Sequence, residues 1–148
     1  MEDPVVKAAQ NAFSLRLTGS SDVSKHTKNA QMIAKKWRSA VHAMDPDRYQ
    51  IEATIHGDLD QKIDVVDSEL MCAYEFKVSG KNAWAEFYKD VVKVIVWNRK
   101  RTRRLVRLVF ITDAKHGRPF LDSPMPREYM RHLAQEGIEV KIEYVQQV

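Results

Sequence analysis

The spacing of apolar residues predicts two helices at the start of the chain. The first covers residues 4–17 and ends in a turn at residues 18–21. Asp22 or Ser24 could cap the second, which stops before the turn signal of residues 45–47. Its apolar residues recur at intervals of three and four, which places them on one side and most of its lysines elsewhere. They are Ala30, Ile33, Ala34, Trp37 and Val41.

From residue 49 the apolar period shortens to two, which indicates strands. Residues 49–56 and 62–67 flank the loop of residues 57–61, and this arrangement predicts an antiparallel hairpin. A hairpin symmetric about Leu59 pairs Ile55 with Ile63 and Ala53 with Val65 on one apolar side. On the opposite side, the same register groups four polar residues. These are Glu52, Thr54, His56 and Asp64.

Residues 70–78 are predicted to form a third strand, in which Glu75 and Lys77 point to the same face. Residues 79–82 break the strand, and a helix with a wide apolar stripe follows. The stripe consists of Trp84, Phe87, Tyr88, Val91, Val94 and Ile95. We expect its aromatic side chains to belong to the core rather than to a surface that stacks on nucleobases.

The rest of the chain reads as a buried strand at residues 105–112, a helix to about Gln135 and a last strand at residues 138–145. Pro124 and Pro126 precede that helix, and Gly137 fits its end. The predicted order is therefore ααβββαβαβ, an α/β fold with a mixed sheet covered by helices. The length of 148 residues fits a single domain covering residues 1–148.

Composition and charge narrow the class of protein. The apolar stretch of residues 91–97 is too short for a membrane span, and the start of the chain lacks the features of a secretion signal. Cys72 is the only cysteine, so no disulfide framework or thiolate zinc cluster is expected. We therefore expect a soluble, cytoplasmic protein without a membrane partner.

The net charge of +4 is modest, but the basic residues are concentrated in two segments. The earlier segment contains Lys25, Lys28, Lys35, Lys36 and Arg38, and the later one contains Arg99, Lys100, Arg101, Arg103, Arg104 and Arg107. Such segments favour contact with the phosphates of nucleic acid, which weakens steeply as salt rises. A solvated turn and a solvated helix face would produce the same pattern.

Charged residues in the predicted strands suggest a catalytic or metal-binding site. The short Glu-x-Lys pattern alone carries little weight, because it occurs again as Glu139-Val140-Lys141. The earlier copy, at Glu75 and Lys77, differs because it follows a strand that bears Asp64 across a short turn. Adjacent strands could therefore bring the two carboxylates within several ångströms.

Two carboxylates and a neighbouring lysine suit a magnesium site. Magnesium prefers oxygen ligands and is commonly held by one or two carboxylates together with phosphate oxygens. Asp64 and Glu75 could supply these carboxylates, and Lys77 could steer or deprotonate an attacking water and offset charge on the phosphorus. A buried ion-pair network without a substrate, or a solvated sheet face, would explain the same residues.

The segments at residues 62–66 and 74–79, followed by a helix entering at Asn82, resemble the PD-(D/E)xK nuclease superfamily. The resemblance covers about residues 24–112 and implies a restriction-endonuclease-like fold, with a mixed central sheet flanked by helices. It implies that Asp64 and Glu75 bind Mg²⁺ (or Mn²⁺), that Lys77 is the catalytic lysine, and that the reaction is phosphodiester hydrolysis.

The sequence departs from the family at two points. Ile63 stands where the literal motif has proline, and residues 24–44 contain no acid, although many members carry a glutamate on that helix. Glu52 is our substitute for this ligand. Glu86, Lys89 and Lys93 share a helix stripe and could approach the metal or the scissile phosphate. The predicted nucleic-acid contacts are Lys36, Lys89, Lys93, Arg99, Lys100, Arg101, Arg103 and Arg104.

These observations predict a small, structure-selective or weakly specific endonuclease that acts on DNA or, less favoured, on RNA. Two copies could be needed to cut both strands of a duplex, which makes a homodimer an option. Three alternatives stay open. They are a toxin-type nuclease acting on tRNA, a non-catalytic nucleic-acid-binding module with the same fold, and an interaction protein whose basic patches bind a protein partner.

Overall fold

A computed structural model describes residues 2–15, 23–57 and 59–146, with side chains from residue 28 onward in the second helix. The helices are α1 (Pro4–Phe13), α2 (Val23–Met44), α3 (Ala83–Lys100), α4 (Ala114–Leu121) and α5 (Pro124–Gln135). The strands are β1 (Tyr49–Thr54), β2 (Lys62–Asp67), β3 (Cys72–Lys77), β4 (Arg107–Asp113) and β5 (Glu139–Val145). A short 3₁₀ turn, Gly80–Asn82, leads from β3 into α3.

The strands form one five-stranded sheet in the order β1-β2-β3-β4-β5. The pairs β1–β2 and β2–β3 are antiparallel, whereas β3–β4 and β4–β5 are parallel. The parallel connections each pass through helices, as they must to return the chain to the same end of the sheet. The predicted class, an α/β fold with a mixed sheet flanked by helices, is confirmed.

Two apolar cores lie on opposite faces of the sheet. On one face, α1 and α2 pack on the sheet, and Trp37 meets Phe76 edge to face at 5.3 Å between ring centroids. On the other face α3, α4 and α5 cover the sheet, and Phe87 meets Phe110 at 5.5 Å. Along β3 the side chains of Cys72, Tyr74 and Phe76 lie in the α1–α2 core, and Glu75 lies on the opposite face of the sheet, as the predicted alternation requires. On that face Glu75 contacts α3.

The order of elements differs from the prediction after β4, because two helices rather than one precede β5. The side chain of Asp113 caps the added helix α4 by accepting from the backbone N of Lys115 at 3.1 Å. Gly117 and Pro119 within eight residues read as a loop, so the sequence pattern concealed this helix. The following helix α5 begins at Pro124 itself.

The first helix ends at Phe13, earlier than the predicted residue 17. Ser14 terminates it, since its hydroxyl donates to the carbonyl of Gln10 at 3.0 Å and competes with continued helix. The predicted turn at residues 18–21 and the cap at Asp22 or by the Ser24 side chain lie outside the described residues.

The hairpin register also differs from the prediction. Ala53 lies opposite Ile63, two positions from the predicted pairing. Ile63 belongs to the α3 core and Val65 to the α1–α2 core, so the predicted single apolar side is wrong. The pairs on both sides of Glu52 and Asp64 keep one register, but the ladder skips these two residues, and Glu52 is in the left-handed region at φ 49°. The alternation of faces is interrupted at this point, which separates Ile63 from Val65.

One predicted core residue lies at the surface. The side chain of Trp84 is 55% exposed, while Phe87 and Val94 of the same stripe are buried. Each helical residue is rotated by about 100° from the one before it. Because Ala83 faces the core, this rotation turns Trp84 towards the solvent. No described helix is both long and apolar enough to span a membrane.

A buried ion pair joins the start of β1 to the end of β2. Arg48 donates to both carboxylate oxygens of Asp67 at 3.0 and 2.9 Å, and backbone N–H groups of Glu69 and Leu70 donate to the same side chain. Burial alone would raise the pKa of Asp67, but the guanidinium and these N–H groups outweigh it and hold the pKa below its ordinary value.

We expect Asp67→Ala to lower the free energy of unfolding by about 3 kcal/mol near neutral pH, because it leaves the partly buried guanidinium of Arg48 with only the exposed carboxylate of Glu69 as partner. A lowered carboxyl pKa stabilises the fold above the ordinary pKa and ceases to do so as pH falls through the folded-state value. The difference between the two proteins should therefore shrink in acid. Urea unfolding at several pH values measures it, with Glu69→Ala as the exposed control.

Candidate active site

The side chains of Asp64 and Glu75 lie where β2 and β3 separate. Regular pairing of these strands ends at Val65 and Tyr74, one position short of Asp64 and Glu75. Beyond this pair, backbone N–H groups donate to side-chain carboxylates instead of to carbonyls of the neighbouring strand. The N–H of Phe76 donates to Asp64 Oδ2 at 3.1 Å, and the N–H of Asp64 is 3.4 Å from Glu75 Oε1. Both carboxylates are therefore held at the opening of the sheet.

Two lysines bridge Glu75 to a third carboxylate, Asp90 of α3. Lys93 Nζ lies 3.2 Å from Glu75 Oε1 and 3.1 Å from Asp90 Oδ1. Lys77 Nζ lies 3.5 Å from Glu75 Oε2 and 3.6 Å from Asp90 Oδ2. The strand alternation aims Glu75 and Lys77 at α3, and the i,i+3 spacing aims Asp90 and Lys93 back at the sheet.

The group extends towards solvent through Glu86. Its carboxylate lies 3.4 Å from Lys77 Nζ and 3.7 Å from the half-exposed Lys89. We call these side chains the acid–lysine cluster, which has four carboxyl and three ammonium groups. Its members are Asp64, Glu75, Lys77, Glu86, Lys89, Asp90 and Lys93.

Burial dominates the electrostatics of the two inner carboxyl groups. Glu75 is 1% exposed, and burial, together with the negative charges of Asp64 and Asp90, raises its pKa well above the ordinary value. Burial also raises the pKa of Asp90, although Lys77 and Lys93 oppose this. Apart from the ammonium groups of Lys77 and Lys93, no described residue donates to the oxygens of Asp90.

For the two bridging lysines, the neighbouring negative charges rather than burial decide the direction of the pKa shift. Burial by itself would lower the pKa of Lys77, but Asp90 and Glu75 outweigh it and raise the pKa above the ordinary value. The pKa of Lys93 is raised for the same reason, with Glu75 and Asp90 outweighing burial. Lys77 is therefore a fixed ammonium at neutral pH, suited to stabilising negative charge and unsuited to removing a proton from water.

Among the described residues, no group of three or more His, Cys, Asp or Glu side chains is arranged to hold a metal ion. Lysine ammonium groups, rather than further oxygens, lie between Glu75 and Asp90. Asp64 and Glu75 lie on neighbouring strands, and each carboxylate contacts a backbone N–H of the other strand. Any metal ion at this position would need water or substrate oxygens to complete its coordination.

The structure brings together Asp64, Glu75 and Lys77, as the sequence predicted. The predicted helix stripe of Glu86, Lys89 and Lys93 lies beside them. The structure adds Asp90, which sequence reasoning missed. A signal was present, because Asp90 is an acid on the core side of a helix between Phe87 and Val94. Acids at such positions are costly unless they are paired.

Glu52 is not part of the cluster. Its side chain is exposed and forms no hydrogen bond or ion pair with another described residue. The break in the β1–β2 ladder explains this, because the left-handed backbone at Glu52 interrupts the alternation on which its predicted direction depended. The carboxylate beyond Asp64 and Glu75 comes from α3 instead of β1.

The predicted nucleic-acid contacts divide into three kinds. Lys93 is buried in the cluster, so it is not the surface contact that was predicted. Arg101 is used within the fold, because it donates to the carbonyls of Thr54 and Ile55 and stacks on Trp97 at 3.8 Å. The remaining predicted contacts are exposed. They are Lys36, Lys89, Arg99, Lys100, Arg103 and Arg104.

Comparisons with protein-family models, curated proteins and solved structures found no match for this chain. The resemblance to the PD-(D/E)xK nucleases therefore stays a prediction that rests on the residues quoted above.

The raised pKa of Glu75 predicts a specific pH dependence. Between the ordinary carboxyl pKa and the raised folded-state value, the folded protein binds more protons than the unfolded chain, so Glu75 makes stability fall as pH rises. Glu75→Gln removes this effect. We expect the stability of the variant relative to wild type to increase as pH rises from the ordinary carboxyl value of 4.5 towards neutral.

Urea unfolding of both proteins across this range provides the measurement, and Glu136→Gln, at an exposed position, is the control. Parallel stability curves for wild type and Glu75→Gln would mean that Glu75 ionises normally and that the buried charge balance described above is incorrect.

Proposed function

We propose that this protein is a metal-dependent nuclease that hydrolyses phosphodiester bonds of nucleic acid, with DNA the favoured substrate. The observation that carries the proposal is the acid–lysine cluster, in which carboxyl groups outnumber ammonium groups and two of the carboxyl groups are fully buried. The cluster has one more carboxyl than ammonium group, and a further cation next to Glu75 would favour the ionised form of this buried side chain. Exposed arginines and lysines on the same molecule suit a polyanionic substrate.

Asp64 and Glu75 are the residues that would hold Mg²⁺ or Mn²⁺. Their oxygens are the ligand type that such ions prefer, and a site with two carboxylates leaves room for phosphate oxygens and water. When bound, the ion would activate water and stabilise charge on the phosphate. Asp64 is kept in place by the N–H of Phe76, and Glu75 by Lys77 and Lys93.

The lysines would have separate tasks. Lys77 is 18% exposed at its side chain and lies nearer the opening of the cluster, so its ammonium can stabilise negative charge that develops on a phosphate. Lys93 is deeper, with a side chain only 8% exposed, and it positions Glu75 against Asp90. We therefore assign Lys77 to the reacting phosphate and regard Lys93 as a positioning residue.

A second candidate function is a nucleic-acid-binding module without catalysis. Lys77 is within 3.6 Å of three carboxylates, those of Glu75, Glu86 and Asp90, so the cluster already supplies this ammonium with partners. A purely structural network would look the same. A toxin-type nuclease acting on tRNA would share the cluster and differ only in substrate.

Cleavage assays separate these functions. We expect Asp64→Asn and Lys77→Ala to reduce metal-dependent cleavage of mixed DNA and RNA substrates by at least about 100-fold, because each removes a charge next to the reacting phosphate. Lys141→Ala is the matched control, since Lys141 belongs to the second Glu-x-Lys sequence and is 56% exposed on β5. Chelation of divalent ions should abolish the cleavage by wild type.

Equal cleavage by wild type, Asp64→Asn and Lys77→Ala would contradict the proposal. Binding without cleavage by any of the proteins would favour the module. Preferential cleavage of tRNA over DNA would favour the toxin-type alternative.

The exposed basic segment after α3 predicts salt-dependent binding. We expect the double variant Arg103→Ala/Arg104→Ala to bind duplex DNA more weakly and to reduce the slope of log K against log salt by about 0.9 for each phosphate that the two arginines neutralise in wild type. Fluorescence anisotropy over a salt series measures the slope, with Lys141→Ala again as control. Binding that hardly changes with salt would instead support a protein partner for this surface.

A further inference from the structure

A groove of about 540 Å³ runs along α3 next to the acid–lysine cluster. One wall is the outer side of α3 and the other is the loop that follows β1. The groove is mainly apolar, lined by Ile55, Leu59, Tyr88, Val92 and Val96. Its volume is in the range of pockets that bind small molecules or single groups of larger ligands.

The groove and the cluster share a wall. Lys93 lines the groove and also contacts Glu75 and Asp90 of the cluster. Lys89 lines it as well and lies 3.7 Å from Glu86. A chain lying in the groove would therefore pass directly beside the cluster.

The apolar lining is open to solvent at its rim. Val92 is 54% exposed and Leu59 is 42% exposed, although side chains of this kind normally gain from burial. Basic residues flank them on the same helix. Lys89 lies one turn before Val92, and the exposed Arg99 and Lys100 follow Val96 by one turn. The outer side of α3 thus alternates between cationic and apolar groups.

We propose that this groove binds unpaired nucleobases adjacent to the scissile phosphate, so that the substrate of the protein is single-stranded or locally unpaired nucleic acid. The inference rests on the proposed nuclease function. In a duplex the faces of the bases are stacked inside the helix and cannot reach an apolar wall. Unpaired bases expose those faces, and proteins that bind single strands combine apolar or aromatic contacts with lysines and arginines along the backbone.

The polar lining is consistent with this occupant. Asp60 and Gln61 lie at the loop side of the groove and can accept or donate hydrogen bonds at base edges. Lys89 and the exposed end of α3 lie where phosphates on either side of a bound base would pass. An apolar peptide or a second copy of the chain docked by its apolar side would leave the exposed Arg99 and Lys100 without anionic partners, so nucleic acid is the better fit.

Binding in the absence of turnover tests the groove. Fluorescence anisotropy in the presence of a chelator gives the affinity for a short single-stranded oligonucleotide and for the duplex of the same sequence. We expect wild type to prefer the single strand. Leu59→Ser and Val92→Ser should each weaken single-strand binding by about tenfold, which corresponds to one base that no longer packs on the groove, and leave duplex binding almost unchanged.

Val106→Ser is the matched control, because Val106 is 51% exposed next to the start of β4, at the other end of the sheet. All three substitutions are at exposed positions, so circular dichroism should show the wild-type fold. The inference is wrong if Leu59→Ser and Val92→Ser bind the single strand as wild type does, or if they weaken single-strand and duplex binding equally. It is also wrong if wild type is a dimer that Val92→Ser dissociates, which would identify a second copy as the occupant.

The outcomes also separate this inference from the proposed nuclease function. A single-strand preference that depends on Leu59 and Val92, found without any cleavage, would support the groove and refute the nuclease. Cleavage that depends on Lys77, found without a single-strand preference, would support the nuclease and refute the groove.

Discussion

The structure of the site depends on keeping several charges buried between a sheet and a helix. Glu75 and Asp90 are almost completely buried, and isolated carboxylates in such positions would be strongly destabilising. Lys77 and Lys93 each contact both of them and offset part of this cost. The excess of carboxyl groups over ammonium groups is the property from which the proposed affinity for a divalent ion follows.

The backbone creates the space in which these charges meet. Pairing of β2 with β3 ends just before Asp64 and Glu75, and the ladder between β1 and β2 breaks at the neighbouring position, Glu52. The opening exposes the end of the cluster near Lys77 and leaves the loop after β1 to form one wall of the groove. One irregularity in the sheet therefore shapes both the proposed reaction site and the proposed base-binding groove.

Sequence reasoning found most of the sheet and every member of the cluster except Asp90. Alternation along β3 correctly aimed Glu75 and Lys77 at one face, because a strand has a fixed period of two. The prediction failed where the backbone departs from a regular period. The direction of Glu52 could not be read from alternation across a left-handed residue, and α4 was hidden by Gly117 and Pro119. Asp90 was missed although an acid among apolar residues on the core side of α3 indicates a buried, paired carboxylate.

The proposed reaction depends on a divalent cation bound between Asp64 and Glu75 of the acid–lysine cluster. Anomalous scattering from crystals of the protein grown with Mn²⁺ and a non-cleavable nucleotide tests this directly. We expect a peak within coordination distance of both carboxylates, absent from crystals of a variant in which Asp64 is replaced by Asn. Crystals without a peak there, or with Mn²⁺ bound only at other surface carboxylates, would contradict the proposal.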